Sequence, residues 1–112
     1  MMTWYEKIID AHLAVTPAVS HYERLTGERY FVWQEDGSND LVADNRHEEG
    51  VMVGTTDLFT KLEFDPWVEA FQASMDARGI SWTLSSVQHE EDTGFTHFEW
   101  TWEVMGDGNH PV

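Results

Sequence analysis

The stretch from Asp65 to Val104 constrains the fold of this chain most, because every boundary in it carries its own signal. Asp65-Pro66 opens a helix: the carboxylate is suited to the N-cap, and proline costs nothing at the first helical position, where its missing amide has no partner to lose. Val68, Phe71 and Met75, with Trp67, then form one apolar stripe, while Glu69, Gln72 and Asp76 face water. Arg78-Gly79 stops the helix, the glycine supplying a left-handed residue. Ile80 to Gln88 runs extended, Glu91-Asp92-Thr93-Gly94 turns the chain, and Phe95 to Val104 returns with strict alternation. Phe95, His97, Glu99, Thr101 and Glu103 share one face of that strand. Thr96, Phe98, Trp100, Trp102 and Val104 share the other, which is the core face.

The first half is less strictly patterned. Thr3-Trp4-Tyr5-Glu6 matches a capping box, and Tyr5, Ile8, Ile9, His12 and Leu13 follow at near-helical spacing to about Ala14. Thr16-Pro17 ends this helix. Val19 to Arg29 reads as a connection, with Tyr22 and Leu25 tacked to the core. Tyr30 to Gln34 is a β-rich run bounded by the turn signal Glu35 to Asp40, and Leu41 to Asn45 adds a short extended piece. Glu49 to Lys61 is the next strand region, with Val51, Val53 and Thr55 on one side and Met52, Gly54 and Thr56 on the other. Gly50 and Gly54 leave room for a bulge or a close backbone approach. The expectation is a single small α+β domain over residues 1–105 with a flexible tail, 106–112. Its order is α-β-β-α-β-β: a mostly antiparallel four-stranded sheet with two helices packed on one face.

Composition narrows the function classes. The chain of 112 residues is 41% apolar and has no run approaching a membrane span. It has no cysteine, which excludes disulfides, thiolate catalysis and cysteine-ligated zinc. Its first residues lack the basic start and apolar core of a secretory signal, which fits synthesis inside the cell. The net charge of −15, from 21 acids against 6 bases, argues against a nucleic-acid-binding face and against attraction to an anionic membrane. Solubility accounts for such a charge. So does a surface that mimics DNA, or an acidic wall past which DNA slides without sticking.

Residues able to carry chemistry are present but poorly arranged. His47-Glu48-Glu49 and His89-Glu90-Glu91-Asp92 lack the spacing that converges ligands on one metal ion, and solvated turns explain them. Asp36-Gly37-Ser38-Asn39-Asp40 opens like a calcium loop, but Leu41 and His47 occupy the positions that need glycine and glutamate. His97, Glu99 and Glu103 could form a carboxylate–imidazole row for acid–base work, although an outward polar strand face has the same composition. Neither a nucleophile elbow nor a phosphate-binding glycine loop occurs. No metal, no cofactor and no catalytic residue is expected. Trp100 and Trp102 belong to the core, whereas Trp4 and Trp82 suit a protein interface.

Tyr30-Phe31-Val32-Trp33, then Asn39-Asp40-Leu41-Val42-Ala43-Asp44-Asn45, then Leu58-Phe59-Thr60-Lys61 resemble small tail-completion, or head–tail joining, proteins of long-tailed bacteriophages and prophages. The helix closing on Gly79-Ile80 and the final strand Phe98 to Val104 extend the resemblance, which spans Tyr30 to Val104. One departure is Val51 to Asp57, more polar and richer in glycine than the aliphatic strand of that family. The resemblance implies a structural virion protein similar to tail terminators. Such proteins form rings, commonly hexamers, that cap the tail tube and receive the head connector. It further implies location in the virion tail or neck, with assembly in the host cytoplasm. Its partners would be itself, tail-tube protein and head-connector protein, and DNA would pass without specific binding. His97, Glu99, Thr101 and Glu103 then become a lumen or docking face, with Trp4 and Trp82 at contacts. An acidic DNA-mimic inhibitor of a nucleic-acid-binding enzyme is the other reading of the charge.

Overall fold

A computed structural model describes residues 2–38 and 50–106. The first helix, α1 (Trp4–Leu13), begins with the capping box: the Thr3 hydroxyl accepts the Glu6 N–H at 3.1 Å, and the Glu6 carboxylate accepts the Thr3 N–H at 2.8 Å. The chain then forms β1 (Val19–His21), β2 (Arg29–Ser38), β3 (Val51–Thr60), α2 (Trp67–Ala77), β4 (Ser81–His89) and β5 (Thr96–Met105).

This architecture corrects the expected one. The sheet has five strands in the order β1-β2-β3-β5-β4, and it is mixed rather than four-stranded and antiparallel. The additional strand lies inside the segment read as a connection, where β1 pairs parallel with β2 through Val19↔Phe31 and His21↔Trp33. Three residues that include Ser20 and His21 carry no alternation of their own. The strand exists because β2 offers it an edge. To run parallel, the chain must turn back at once, and Tyr22 does so with φ 75°, a left-handed conformation unusual for an aromatic residue. Residues 22–28 return across the uncovered face of the sheet, where the Arg24 guanidinium lies 4.1 Å above the Phe59 ring. Tyr22 and Leu25 are accordingly exposed, not tacked to the core.

β2, β3, β5 and β4 pair antiparallel in succession. Both helices pack on one face, and their buried side chains Ile8, Phe71 and Met75 meet Phe31, Leu58, Trp100 and Trp102. Gly54 is set by this packing. A Cβ there would fall 2.2 Å from the Trp102 indole and 2.5 Å from the Gln34 carbonyl, so only glycine lets the ring lie on β3. A bulge between Glu35 and Gly37 sits on the neighbouring strand, opposite Gly54 and Val53.

The helix starts and stops show how side chains fix the frame. Pro66, not Asp65, holds the N-cap of α2. Asp65 still serves the helix from one residue further out, its carboxylate accepting the Trp67 N–H at 2.8 Å and the Arg29 Nε–H at 2.9 Å. Burial would raise the Asp65 carboxyl. The hydrogen bonds from Arg29, Trp67 and Thr60 outweigh it and hold the group below its ordinary range. Arg29 also lies 3.6 Å over the Trp67 ring. At the far end Gly79 has φ 70°, and Ile80 and Gly79 donate back to Met75 and Asp76, which closes the helix as a Schellman motif. Gln72 does not simply face water, since its side-chain carbonyl accepts the Trp100 indole N–H at 3.1 Å.

The extended piece at Leu41 to Asn45, the His47 cluster, most of the calcium-like loop and the tail beyond Gly106 lie outside the described residues.

Candidate functional site

The sheet has one face covered by helices and one open. Cross-strand register sets the open face: His97 stands opposite Phe59 and Gln88, Glu99 opposite Asp57 and Ser86, Thr101 opposite Thr55 and Thr83, and Glu103 opposite Val53 and Ser81. The row His97, Glu99, Thr101 and Glu103 therefore does lie on one surface. Trp4 and Trp82 do not join it. Trp4 packs from α1 against the core cluster, and Trp82 lies opposite Trp102 on the covered face, its indole N–H donating to Asp76 at 2.8 Å.

Within the row the expected acid–base grouping is rearranged. His97 pairs with neither Glu99 nor Glu103. Its Nε2 meets Asp57 Oδ1 at 2.8 Å across the sheet, a diagonal partner that spacing along one strand cannot reveal. The imidazole stacks on Phe59 with ring centres 4.4 Å apart. Thr101 shares a hydroxyl hydrogen bond with Ser85 at 2.8 Å. Phe59 also joins Tyr30 and Val32 in a small apolar cluster on this same face, flanked by Ala18 and Phe95. The His97–Asp57 pair thus lies on a sheet face that neither helix covers. At the hairpin, His89 hydrogen-bonds Thr96 and Glu90 accepts from Thr93; among the described residues no three His, Asp or Glu side chains gather as metal ligands. Likewise, among the described residues no helix is long and apolar enough to cross a membrane.

A second feature escapes sequence reasoning. Between α1 and the β1 edge runs a groove of about 450 Å³, lined by Tyr5, Ile9 and Leu13 of the helix, by Val19 and His21, and by Trp33 at its floor. Helical periodicity places Tyr5, Ile9 and Leu13 on an apolar stripe, yet they remain exposed because the sheet ends at β1 beneath them. The groove's far wall is tied together by ring stacking and hydrogen bonds. His21 stacks between Tyr22 and Trp33, with ring centres 3.7 and 3.9 Å away, and its Nε2 is 2.7 Å from a Glu35 carboxylate oxygen. The other Glu35 oxygen accepts the Tyr22 hydroxyl at 2.6 Å. Burial pushes the Glu35 carboxyl up, but these hydrogen bonds prevail and keep it below its ordinary range, so it is anionic at neutral pH.

Behind the groove His12 is fully buried and has a fixed tautomer. Its Nδ1–H donates to the Ile8 carbonyl at 2.7 Å, which leaves Nε2 to accept the Thr56 hydroxyl at 3.0 Å. Thr56 in turn accepts the Trp102 indole N–H at 2.9 Å. This run of hydrogen bonds from Ile8 through His12 and Thr56 to Trp102 requires a neutral imidazole, and burial lowers its pKa to about 4. His12 is a structural histidine.

Compared with known proteins, the chain matches no family model and no curated protein. Among solved structures it is similar to a chain in the virion of a native gene transfer agent particle, with a TM-score of 0.54. The two are 11% identical, and the likeness covers 93% of this chain and 91% of that one. At this identity the likeness is one of fold.

Proposed function

We propose that this chain is a structural component of a virion that acts by protein–protein contact at the head–tail junction or tail end, as a tail-terminator or tail-completion protein. The observation that carries this reading is the fold shared, nearly end to end, with a chain of a virion. The motif resemblance to tail-completion proteins points independently to the same class. An acidic sheet face that the helices leave uncovered suits a ring whose lumen DNA crosses without binding: Asp57, Glu99 and Glu103 would repel phosphates at close range. Ring closure requires a heterologous contact, in which different surfaces of successive copies meet. Phe64, 89% exposed ahead of α2, is an apolar side chain available to such a contact.

The test is polymerisation of the cognate tail-tube protein with and without this chain, followed by light scattering and electron microscopy. The expected result is tubes of limited length with ring-shaped density at one end. A chain that stays strictly monomeric at high concentration and leaves tube growth unchanged would overturn the reading. A monomer in isolation is compatible with it, because closure into a ring can be driven by binding to the tube.

A further inference from the structure

We propose that the α1–β1 groove seats a segment of a different protein that alternates bulky apolar side chains with Lys or Arg. This inference rests on the groove alone and stands whether or not the virion reading does. The cavity offers an apolar floor at Trp33 and an apolar wall at Tyr5, Ile9 and Leu13, which are 47%, 37% and 51% exposed. Burying such a stripe requires apolar side chains from a partner.

Charge selects which partner. Among the described residues no Lys or Arg lines the groove, and Glu35, held anionic by Tyr22 and His21, stands on its strand side. Glu35 is thus the carboxylate among the lining residues of an apolar trough. A second copy would bring the same net charge of −15 to this surface, whereas a basic segment lowers the electrostatic cost of docking. The His21 stack, fixed from both sides by Tyr22 and Trp33, gives the site a preformed wall and spares the ordering entropy that a mobile one would lose.

Three synthetic peptides of equal length test this: one alternating leucine and lysine, one with serine for leucine, and one with glutamate for lysine. Binding is measured by calorimetry at physiological salt, and the contact surface is mapped by amide chemical shifts. The leucine–lysine peptide should bind at least about tenfold tighter than either control and shift residues of α1, β1 and the Glu35 end of β2. The double variant Ile9→Glu, Leu13→Glu, both at exposed positions, should unfold at the wild-type temperature and lose at least about tenfold in affinity. Equal binding by the serine peptide would mean charge alone and overturn the proposal. Shifts confined to the open sheet face would do so too. Wild-type protein that self-associates, and a double variant that does not, would make a second copy the occupant and overturn it as well.

Discussion

The two faces of this sheet are built to opposite rules. On the covered face each side chain is tied to others by packing and by hydrogen bonds: Trp102 lies on Gly54 and donates to Thr56, which donates to His12. On the other face residues 22–28 and the small cluster of Tyr30, Val32 and Phe59 cover one part, and β5 with its neighbours presents threonine, serine and carboxylates whose contacts are single hydrogen bonds or stacked rings such as Thr101–Ser85 and His97–Phe59. One strand, β5, alternates between the two regimes residue by residue. The covered face fixes the fold and leaves the open face free to be chosen for what it touches.

Substitutions can break that contrast. The largest effect belongs to Trp102→Ala, which empties the core centre and removes the indole N–H that Thr56 accepts; chemical denaturation should register a loss of about 4 kcal/mol. Gly54→Ala should cost about 3 kcal/mol by forcing the indole off β3. Combining it with Trp102→Leu should cost less than the sum of the two single changes, because the clash is removed.

Acid probes the same face through His12. Its pKa falls from 6.5 in the unfolded chain to about 4 in the folded one, so the unfolded state binds the proton more readily. The contribution is complete above pH 6.5 and is lost as pH falls toward 4, about 3 kcal/mol in all. A His12→Gln variant should be less stable at pH 7, and its stability should fall less steeply than that of wild type between pH 6.5 and 4. Parallel curves would mean that the imidazole is not buried neutral. On the open face Glu103→Gln and Thr101→Val should each change stability by less than about 0.5 kcal/mol. A larger loss from either would dissolve the distinction between the faces.

How far the sequence carried this structure depended on where its signals were local. α2, β4 and β5 were legible because caps, a left-handed glycine and strict alternation sit within each element. β1 was not, since a three-residue strand owes its existence to Phe31, Val32 and Trp33 of β2 rather than to its own pattern. The outward row on β5 was legible as a row, but its pairing was not: His97 finds Asp57 on another strand. The groove was hidden for a similar reason. Tyr5, Ile9 and Leu13 fit a core-facing stripe, and only the position of the sheet edge leaves them exposed. Trp4 and Trp82, read as interface candidates, are both half-buried against the core, and Trp4 also lines the groove.

The central claim, that this chain works as a component of a virion near the junction of head and tail, meets its most direct test in labelling. Particles purified from cells that encode the chain would be decorated with gold-conjugated antibody against it and imaged by electron microscopy. The account predicts label at the neck or tail end of intact particles, once per particle. Particles that carry no label, with the chain recovered only in the soluble fraction, would contradict it.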